Sequence, residues 1–204
     1  IEQCQFDTIY HEHFSYFSLI AVEKIFKKHG LVIFDLEELP THGGSLRIYA
    51  KHEKDATKTI SAGIAALKER ELKAGYADIG FYAEFKNKVS TIKNDILKFL
   101  EDVKNANKTM AGYGAPAKGN TLLNYCGIGA EHIPYTVDKN PYKQGRYLPG
   151  SHIPIENPDK IKVTKPDYVL ILPWNIKAEI MQQVSFIRQW GGKFVTVIPK
   201  IDIN

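Results

Sequence analysis

Apolar residues recur with helical spacing near the start of this chain of 204 residues. A helix is predicted over residues 19–29, with Ser18 as its N-cap and Gly30 closing it in the left-handed conformation. Its apolar positions are Ile20, Val22, Ile25 and Phe26. The apolar runs at residues 31–36 and 45–50 then predict two strands joined across a glycine-containing turn. A helix followed by an antiparallel hairpin is therefore expected.

The middle of the chain, residues 55–107, carries two amphipathic patterns that are interrupted between Gly75 and Gly80. Apolar side chains recur there every three or four residues, with lysines and acids between them. They are Ile60, Ile64, Leu67, Phe81, Phe85, Val89, Ile92, Ile96, Phe99 and Val103. We expect two helices whose apolar faces pack against the neighbouring domains, and a partner interface is the alternative.

The last part of the chain, residues 109–204, alternates short apolar runs with helical stretches. Strands are predicted at residues 110–112, 133–138, 168–172 and 193–198, and helices at residues 119–125 and 176–189. This alternation predicts an α/β domain with a parallel, Rossmann-like sheet wrapped by helices. Ligands of such sheets bind at the carboxyl ends of the strands, where the glycine-rich turn after the first strand falls.

Composition narrows the class of protein. The chain is 44% hydrophobic and 25% charged, without an apolar run long enough to span a bilayer. The amino end lacks the pattern of a secretory leader, and two cysteines are too few for a disulfide framework. A cytoplasmic protein with no membrane partner is expected.

The net charge of +4 is carried entirely by residues 109–204, because residues 1–108 hold equal numbers of acidic and basic side chains. An excess this small and dispersed does not predict nucleic-acid binding, for which clustered lysines and arginines would be needed. A small anionic ligand fits the second half of the chain better.

Candidate acid–base chemistry is concentrated in the run Tyr-His-Glu-His at residues 10–13, the histidine run. His is the side chain that exchanges a proton near neutral pH, so catalysis is one interpretation and a polar aromatic patch is the other. Zinc bound by His11, His13 and His42 is a further alternative. Neither His-Glu-x-x-His nor a third ligand at a recognised spacing is present, so no metal site is predicted.

The glycines at Gly112 and Gly114 follow a predicted strand, which is where a dinucleotide-binding turn would lie. The next glycine, Gly119, falls two positions late and Pro116 stiffens the loop, so NAD(P) binding is only an alternative. We expect the backbone N–H groups of the turn, with Lys118, to bind a phosphate or diphosphate. A turn that only packs strand on helix is the remaining possibility.

Three stretches resemble one family. Residues 5–18, which contain the histidine run, resemble the signature of the S-adenosylmethionine-dependent C-methyltransferases that act on nucleotide-linked keto-deoxysugars. Residues 41–47 are similar to that family's motif between the last two strands of its methyltransferase domain. Residues 112–124 resemble the opening of its C-terminal domain, and residues 138–150 a loop of that domain. The motifs keep the family's order, but cover only the C-terminal half of its architecture.

The resemblance implies three parts. Residues 1–54 would be the truncated end of a class I methyltransferase sheet, residues 55–108 a helical connector and residues 109–204 the Rossmann-like C-terminal domain. Most of the S-adenosylmethionine pocket, and a cysteine-rich segment that binds zinc, would lie upstream of these residues. The chain would then be part of a larger enzyme.

The resemblance also implies roles for single residues. The second His of the histidine run, His13, would be the base that removes a proton beside the sugar ketone, with Glu12 orienting or polarising it and Tyr10 donating toward the sugar oxygen. Substrate-binding positions would be His42, Gly43, Gly44, Arg47, Gly112, Gly114, Lys118, Asn120 and Lys143. The alternative for Arg47 is a surface cation at a strand edge, and the alternative for Lys143 is a solvated turn.

The expected function is the C-terminal portion of a C-methyltransferase acting on a nucleotide-linked sugar through an enolate. A non-catalytic module that binds a nucleotide-sugar or holds subunits together is one alternative. An NAD(P)-dependent oxidoreductase domain is another, and the broken glycine pattern argues against it.

These 204 residues alone are expected not to bind S-adenosylmethionine with useful affinity, because the resemblance places the loops that grip the donor upstream. Isothermal calorimetry with the donor checks this. Binding with a micromolar Kd would contradict it.

Overall fold

The computed structural model describes all residues, Ile1–Asn204. The chain divides into two compact units: the first joins Ile1–His13 to Asn87–Asn204, and the second is Phe14–Lys86. The domain borders expected at residues 54 and 108 stay predictions.

The second unit contains the predicted helix and hairpin. Helix α1 is Leu19–Lys28, and Ser18 Oγ accepts a hydrogen bond from the backbone N–H of Ala21, as expected of an N-cap. Strands β1, Leu31–Leu39, and β2, Ser45–His52, pair antiparallel. The prediction for this stretch is confirmed, although both strands are longer than expected.

Helix α2, Ala62–Ala74, completes the core of this unit. Its apolar face packs against α1 and the hairpin through four buried residues, Leu19, Ile33, Ile64 and Leu67. Glu71 of α2 is only 5% exposed, and its carboxylate accepts the backbone N–H groups of Leu19 at 2.7 Å and Ile20 at 2.9 Å. Because the first N–H groups of a helix have no partner within it, Glu71 supplies the acceptors that α1 lacks.

The first unit is built on a six-stranded sheet. Its strands are β3 (Met110–Tyr113), β4 (Thr136–Val137), β5 (Ile155–Glu156), β6 (Tyr168–Ile171), β7 (Lys193–Thr196) and β8 (Asp202–Ile203). Their order is β5-β4-β3-β6-β7-β8, and all neighbours are parallel except β7 and β8. The chain order therefore reverses between β3 and β6, as in a Rossmann-like sheet, and the predicted α/β class is confirmed.

Three helices accompany this sheet: α4 (Ala117–Cys126), α5 (Lys160–Thr164) and α6 (Lys177–Gln183). The predicted helix at residues 176–189 is wrong in its second half, which is a 3₁₀-helix over Ser185–Trp190. The strand predicted at residues 133–138 begins only at Thr136. Pro134 has no N–H to donate to a neighbouring strand, which shortens the pairing.

A long helix, α3 (Ile79–Asn105), runs across the division between the units. In the first unit its face carries the buried residues Val89, Ile92, Ile96, Leu100 and Val103, and the Phe99 ring lies edge-on to Tyr168 of β6. This part of the apolar face is therefore buried within the first unit, and its packing between neighbouring domains stays a prediction. None of the helices has the length and apolar character that crossing a membrane would require.

Glu71→Ala is expected to lower the free energy of unfolding by about 2 kcal/mol or more, because two buried N–H groups lose their acceptors. Urea unfolding measures the difference. Glu69→Ala is the matched control on the same helix, since Glu69 forms only an exposed pair with Lys73 and should cost less than about 1 kcal/mol. Equal losses in the two variants would contradict this role for Glu71.

Candidate active site

The histidine run follows a short buried anchor. A 3₁₀-helix over Phe6–Thr8 buries Phe6 and Asp7, after which Tyr10 is half-buried and His13 is exposed. The backbone N–H of His13 donates to the carbonyl of Tyr10 at 2.9 Å, which closes a turn around the run. The buried residues Phe6 and Asp7 fix the backbone before the run, while the exposed imidazoles remain accessible to a ligand.

The imidazole of His13 has a defined hydrogen-bond partner. Its Nδ1 lies 2.8 Å from the carbonyl oxygen of Thr8. A carbonyl can only accept, so Nδ1 carries the proton and, in the neutral ring, Nε2 is the nitrogen that can take a proton. The resemblance implies an orienting role for Glu12, whereas in the structure Nδ1 contacts the Thr8 carbonyl.

The ring of Tyr10 lies against the ring of His13. Their centroids are 4.2 Å apart and their planes differ by 34°. This contact restricts the rotation of the imidazole and places an electron-rich aromatic face beside it. The structure thus brings together two of the three predicted catalytic side chains. Donation from the Tyr10 hydroxyl toward a sugar oxygen stays a prediction.

The segment before the histidine run is fixed to the first unit by three contacts. The indole Nε1–H of Trp174 donates to Asp7 Oδ2 at 2.6 Å. Thr121 Oγ1 of α4 donates to the carbonyl of Ile9 at 3.2 Å. The rings of Phe6 and Tyr125 also pack, with centroids 5.1 Å apart. The run is therefore positioned by α4 and by the segment after β6.

Asp7 is fully buried, with 0% of its surface exposed. Burial raises the pKa of its carboxyl group, and the hydrogen bond from Trp174 and the positive charge of Lys118 only partly oppose this effect. Its second carboxylate oxygen, Oδ1, is buried without a hydrogen-bond partner. The ionised side chain thus sits in surroundings that favour its neutral form.

The glycines after β3 are required by close packing. A Cβ added at Gly112 would lie 2.7 Å from Oγ1 of Thr136, and one at Gly114 would lie 2.6 Å from Cδ of Pro173. Gly114 also has a positive φ of 90°, which side chains rarely adopt. The absence of a side chain at these two glycines thus allows β4 to pack closely against Gly112 and the segment after β6 to pack closely against Gly114.

Groups of the protein itself bind both backbone polar groups of Ala115 in this turn. The N–H of Ala115 donates to Asp138 Oδ2 at 2.8 Å, and Lys143 Nζ donates to the carbonyl of Ala115 at 2.8 Å. The other oxygen of Asp138 accepts the N–H of Asn140. Both oxygens of Asp138 are thus engaged, which argues against its holding a ribose as the NAD(P) alternative requires.

Lys118, at the start of α4, is only 6% exposed. Its Nζ donates to Asn175 Oδ1 at 2.8 Å and lies 4.5 Å from the centroid of the Trp174 ring. Burial lowers its pKa, and the nearby carboxylate of Asp7 opposes that shift. Asn120, two residues after Lys118 on α4, has a buried amide oxygen without a partner. Binding of a diphosphate by this region stays a prediction.

The remaining predicted substrate-binding residues lie in the second unit. His42 and Gly43 belong to a 3₁₀-turn, Thr41–Gly43, in which His42 has a φ of 55°. Gly44 follows with a φ of 128°. Arg47 of β2 forms an exposed ion pair with Glu37 of β1, at 3.0 Å between Nη1 and Oε2. Their contact with a sugar stays a prediction.

No three His, Cys, Asp or Glu side chains are arranged to hold a metal ion.

Comparison with known proteins identifies the family. Residues 40–199 match the model of the C-methyltransferase C-terminal domain. The chain belongs to this family. It is also 39% identical over 196 residues to the C-methyltransferase NovU of Streptomyces niveus. The aligned residues make up 96% of this chain and 46% of NovU. A C-methyltransferase C-terminal domain thus accounts for most of the chain, and the chain spans about half the length of its curated relative.

The buried carboxyl of Asp7 is expected to make stability depend on pH. Because its pKa is raised in the folded state, its contribution is fully present below the unfolded pKa and is lost as the pH rises through the folded pKa. Asp7→Asn removes this loss, so its stability relative to the parent chain should rise between pH 4 and pH 7. Urea unfolding at both values measures the difference.

Asp167→Asn is the control, because the ion pair with Lys108 and hydrogen bonds from Thr109 lower the pKa of Asp167. Its stability relative to the parent chain should change little between pH 4 and pH 7, because the contribution of a carboxyl with a lowered pKa is lost only as the pH falls below its ordinary value of 3.8. The same pH dependence in both variants would show that Asp7 has no raised pKa.

Proposed function

We propose that this chain is the C-terminal part of an S-adenosylmethionine-dependent C-methyltransferase that methylates a nucleotide-linked keto-deoxysugar. Membership of the C-methyltransferase C-terminal domain family supports the reaction class. The observation that carries the catalytic role is the hydrogen bond from His13 Nδ1 to the Thr8 carbonyl, because it leaves Nε2 as the basic nitrogen.

Carbon methylation beside a ketone begins with loss of a poorly acidic C–H proton, so the site needs a positioned base. His13 Nε2 takes that proton and the imidazole becomes a cation. The Nδ1–H bond to the Thr8 carbonyl then becomes charge-assisted, which stabilises the cation. The Tyr10 ring, centred 4.2 Å away, supports it further through its electron-rich face.

The enolate that results carries its charge on the former ketone oxygen, which requires a hydrogen-bond donor. We assign this donation to the hydroxyl of Tyr10, and to Glu12 a polarising role on the exposed side of the run. S-adenosylmethionine supplies the methyl group when bound. The glycine turn after β3 does not fit that donor, because Pro173 and Asp138 already contact Gly114 and Ala115, so no step is assigned to the turn.

The nucleotide-linked sugar is proposed to contact two further regions. The hairpin residues His42, Gly43, Gly44 and Arg47 are assigned to the sugar. The positive charge of residues 109–204 is assigned to the diphosphate. Lys143 is included, although a direct contact would require its Nζ to leave the Ala115 carbonyl and the Asp138 carboxylate. Lys118 is buried against Trp174 and Asn175, so a direct contact with the diphosphate would require it to leave these partners.

His13→Asn in the intact enzyme is expected to lower both methyl transfer and deuterium exchange beside the substrate ketone by at least about 100-fold, the contribution of a general base. Exchange reports deprotonation without requiring the methyl step. Mass spectrometry of the recovered substrate measures it, and substrate binding should change little.

The matched control is His11→Asn, which alters the other imidazole of the run and should keep more activity. Normal deuterium exchange in His13→Asn would show that another group is the base. Methyl transfer would then have to be reassigned to Glu12 or to a residue outside this chain.

A further inference from the structure

We propose that Trp174 is a positioning residue for His13, acting through Asp7 and the Thr8 carbonyl. This inference rests on the proposed function, which makes His13 the base. It adds that the orientation of this base is set by the segment after β6 of the Rossmann-like sheet. The residues next to the histidine run in sequence do not predict this contact, because Trp174 is 167 positions from Asp7.

The first link is the hydrogen bond between Trp174 and Asp7. Nε1 and Oδ2 are 2.6 Å apart, and Asp7 is fully buried. A buried carboxylate loses its water, so a donor from the protein is required to hold it in place. Because Asp7 Oδ1 has no partner, the indole N–H is the side-chain donor that fixes this carboxyl group.

The second link fixes the indole. Lys118 Nζ lies 4.5 Å from the centroid of the Trp174 ring, and it is held there by its hydrogen bond to Asn175. Pro173 precedes Trp174 and lies where a Cβ of residue 114 would be. Gly114 therefore allows the segment to reach this position, which gives the glycine turn a role in the site without a ligand.

The third link connects Asp7 to the imidazole. The residue after Asp7 is Thr8, whose carbonyl accepts the His13 Nδ1–H at 2.8 Å. Thr8 is held in turn by its N–H and its Oγ1, which both donate to the carbonyl of Gln5 at 3.1 and 2.8 Å. A displacement of Asp7 is thus transmitted through one peptide unit to the atom that determines the tautomer of His13.

The test is Trp174→Phe in the intact enzyme, which keeps an aromatic ring and removes the N–H donor. Two readouts report position directly. The ¹⁵N NMR signals of the labelled imidazole give the tautomer of His13, and hydrogen exchange followed by mass spectrometry gives the protection of residues 6–13. We expect the Nδ1–H tautomer of His13 to stop being the dominant one. Hydrogen exchange of the amides of residues 6–13 should become about tenfold faster or more.

The chain offers two matched controls. Trp190→Phe removes the only other indole of the chain, whose N–H donates to the carbonyl of Pro166 at 3.0 Å, and it should leave the His13 tautomer unchanged. Asp7→Asn keeps an amide oxygen that can accept from Trp174, and it should keep the tautomer as well. These variants separate loss of this hydrogen bond from general destabilisation.

Kinetics complete the test. Trp174→Phe should lower kcat and deuterium exchange about tenfold or more, with KM for the nucleotide-sugar nearly unchanged, because it affects the base and not the ligand. An unchanged tautomer and unchanged protection in Trp174→Phe would overturn the positioning role, whatever the activity. If both readouts change and methyl transfer stays normal, positioning stands as a structural fact and His13 is not the base.

Discussion

The hydrogen bond between the indole of Trp174 and the buried carboxylate of Asp7 is the contact on which the geometry of the candidate site depends. It joins residues that are 167 positions apart and places the segment before the histidine run on the Rossmann-like sheet. From there, short backbone connections lead to the Thr8 carbonyl and the His13 ring. The chemistry proposed for His13 is therefore a property of tertiary structure, although the side chains that carry it are adjacent in sequence.

Each unit contains a buried carboxylate that accepts N–H donors from a segment distant in sequence. In the first, a buried carboxylate accepts a single indole N–H; in the second, the buried carboxylate of Glu71 accepts two N–H groups at the start of α1. Each carboxylate is removed from water, so each is tolerated only because donors face it. The difference lies in their surroundings. Glu71 finds donors for both oxygens, whereas Asp7 keeps one oxygen unpaired and has a raised pKa.

Helical spacing and apolar runs predicted most of the fold, including α1, the hairpin, α3 and the four central strands, although β4 is only two residues long inside its predicted run. The elements β5, β8 and α5 were missed, since no apolar run of strand length or helical repeat marks them. The histidine run could be located from residue types alone. Its partners Thr8 and Trp174 could not, because a backbone carbonyl leaves no mark in sequence and the Trp174 contact is long-range. The burial of Lys118 was missed for the same reason, since a lysine after a glycine turn is usually solvated.

The first unit is discontinuous in sequence, and this affects how the site can form. Residues 1–13 belong to it, yet the rest of that unit begins only at Asn87. During synthesis the histidine run leaves the ribosome long before Trp174 exists, so the His13 ring cannot acquire its hydrogen-bonded orientation until the segment after β6 has emerged. Closing so long a loop costs entropy that only the completed sheet can offset. Assembly of the acid–base site is thus expected to be among the last events in folding, after the second unit, which is continuous, has formed.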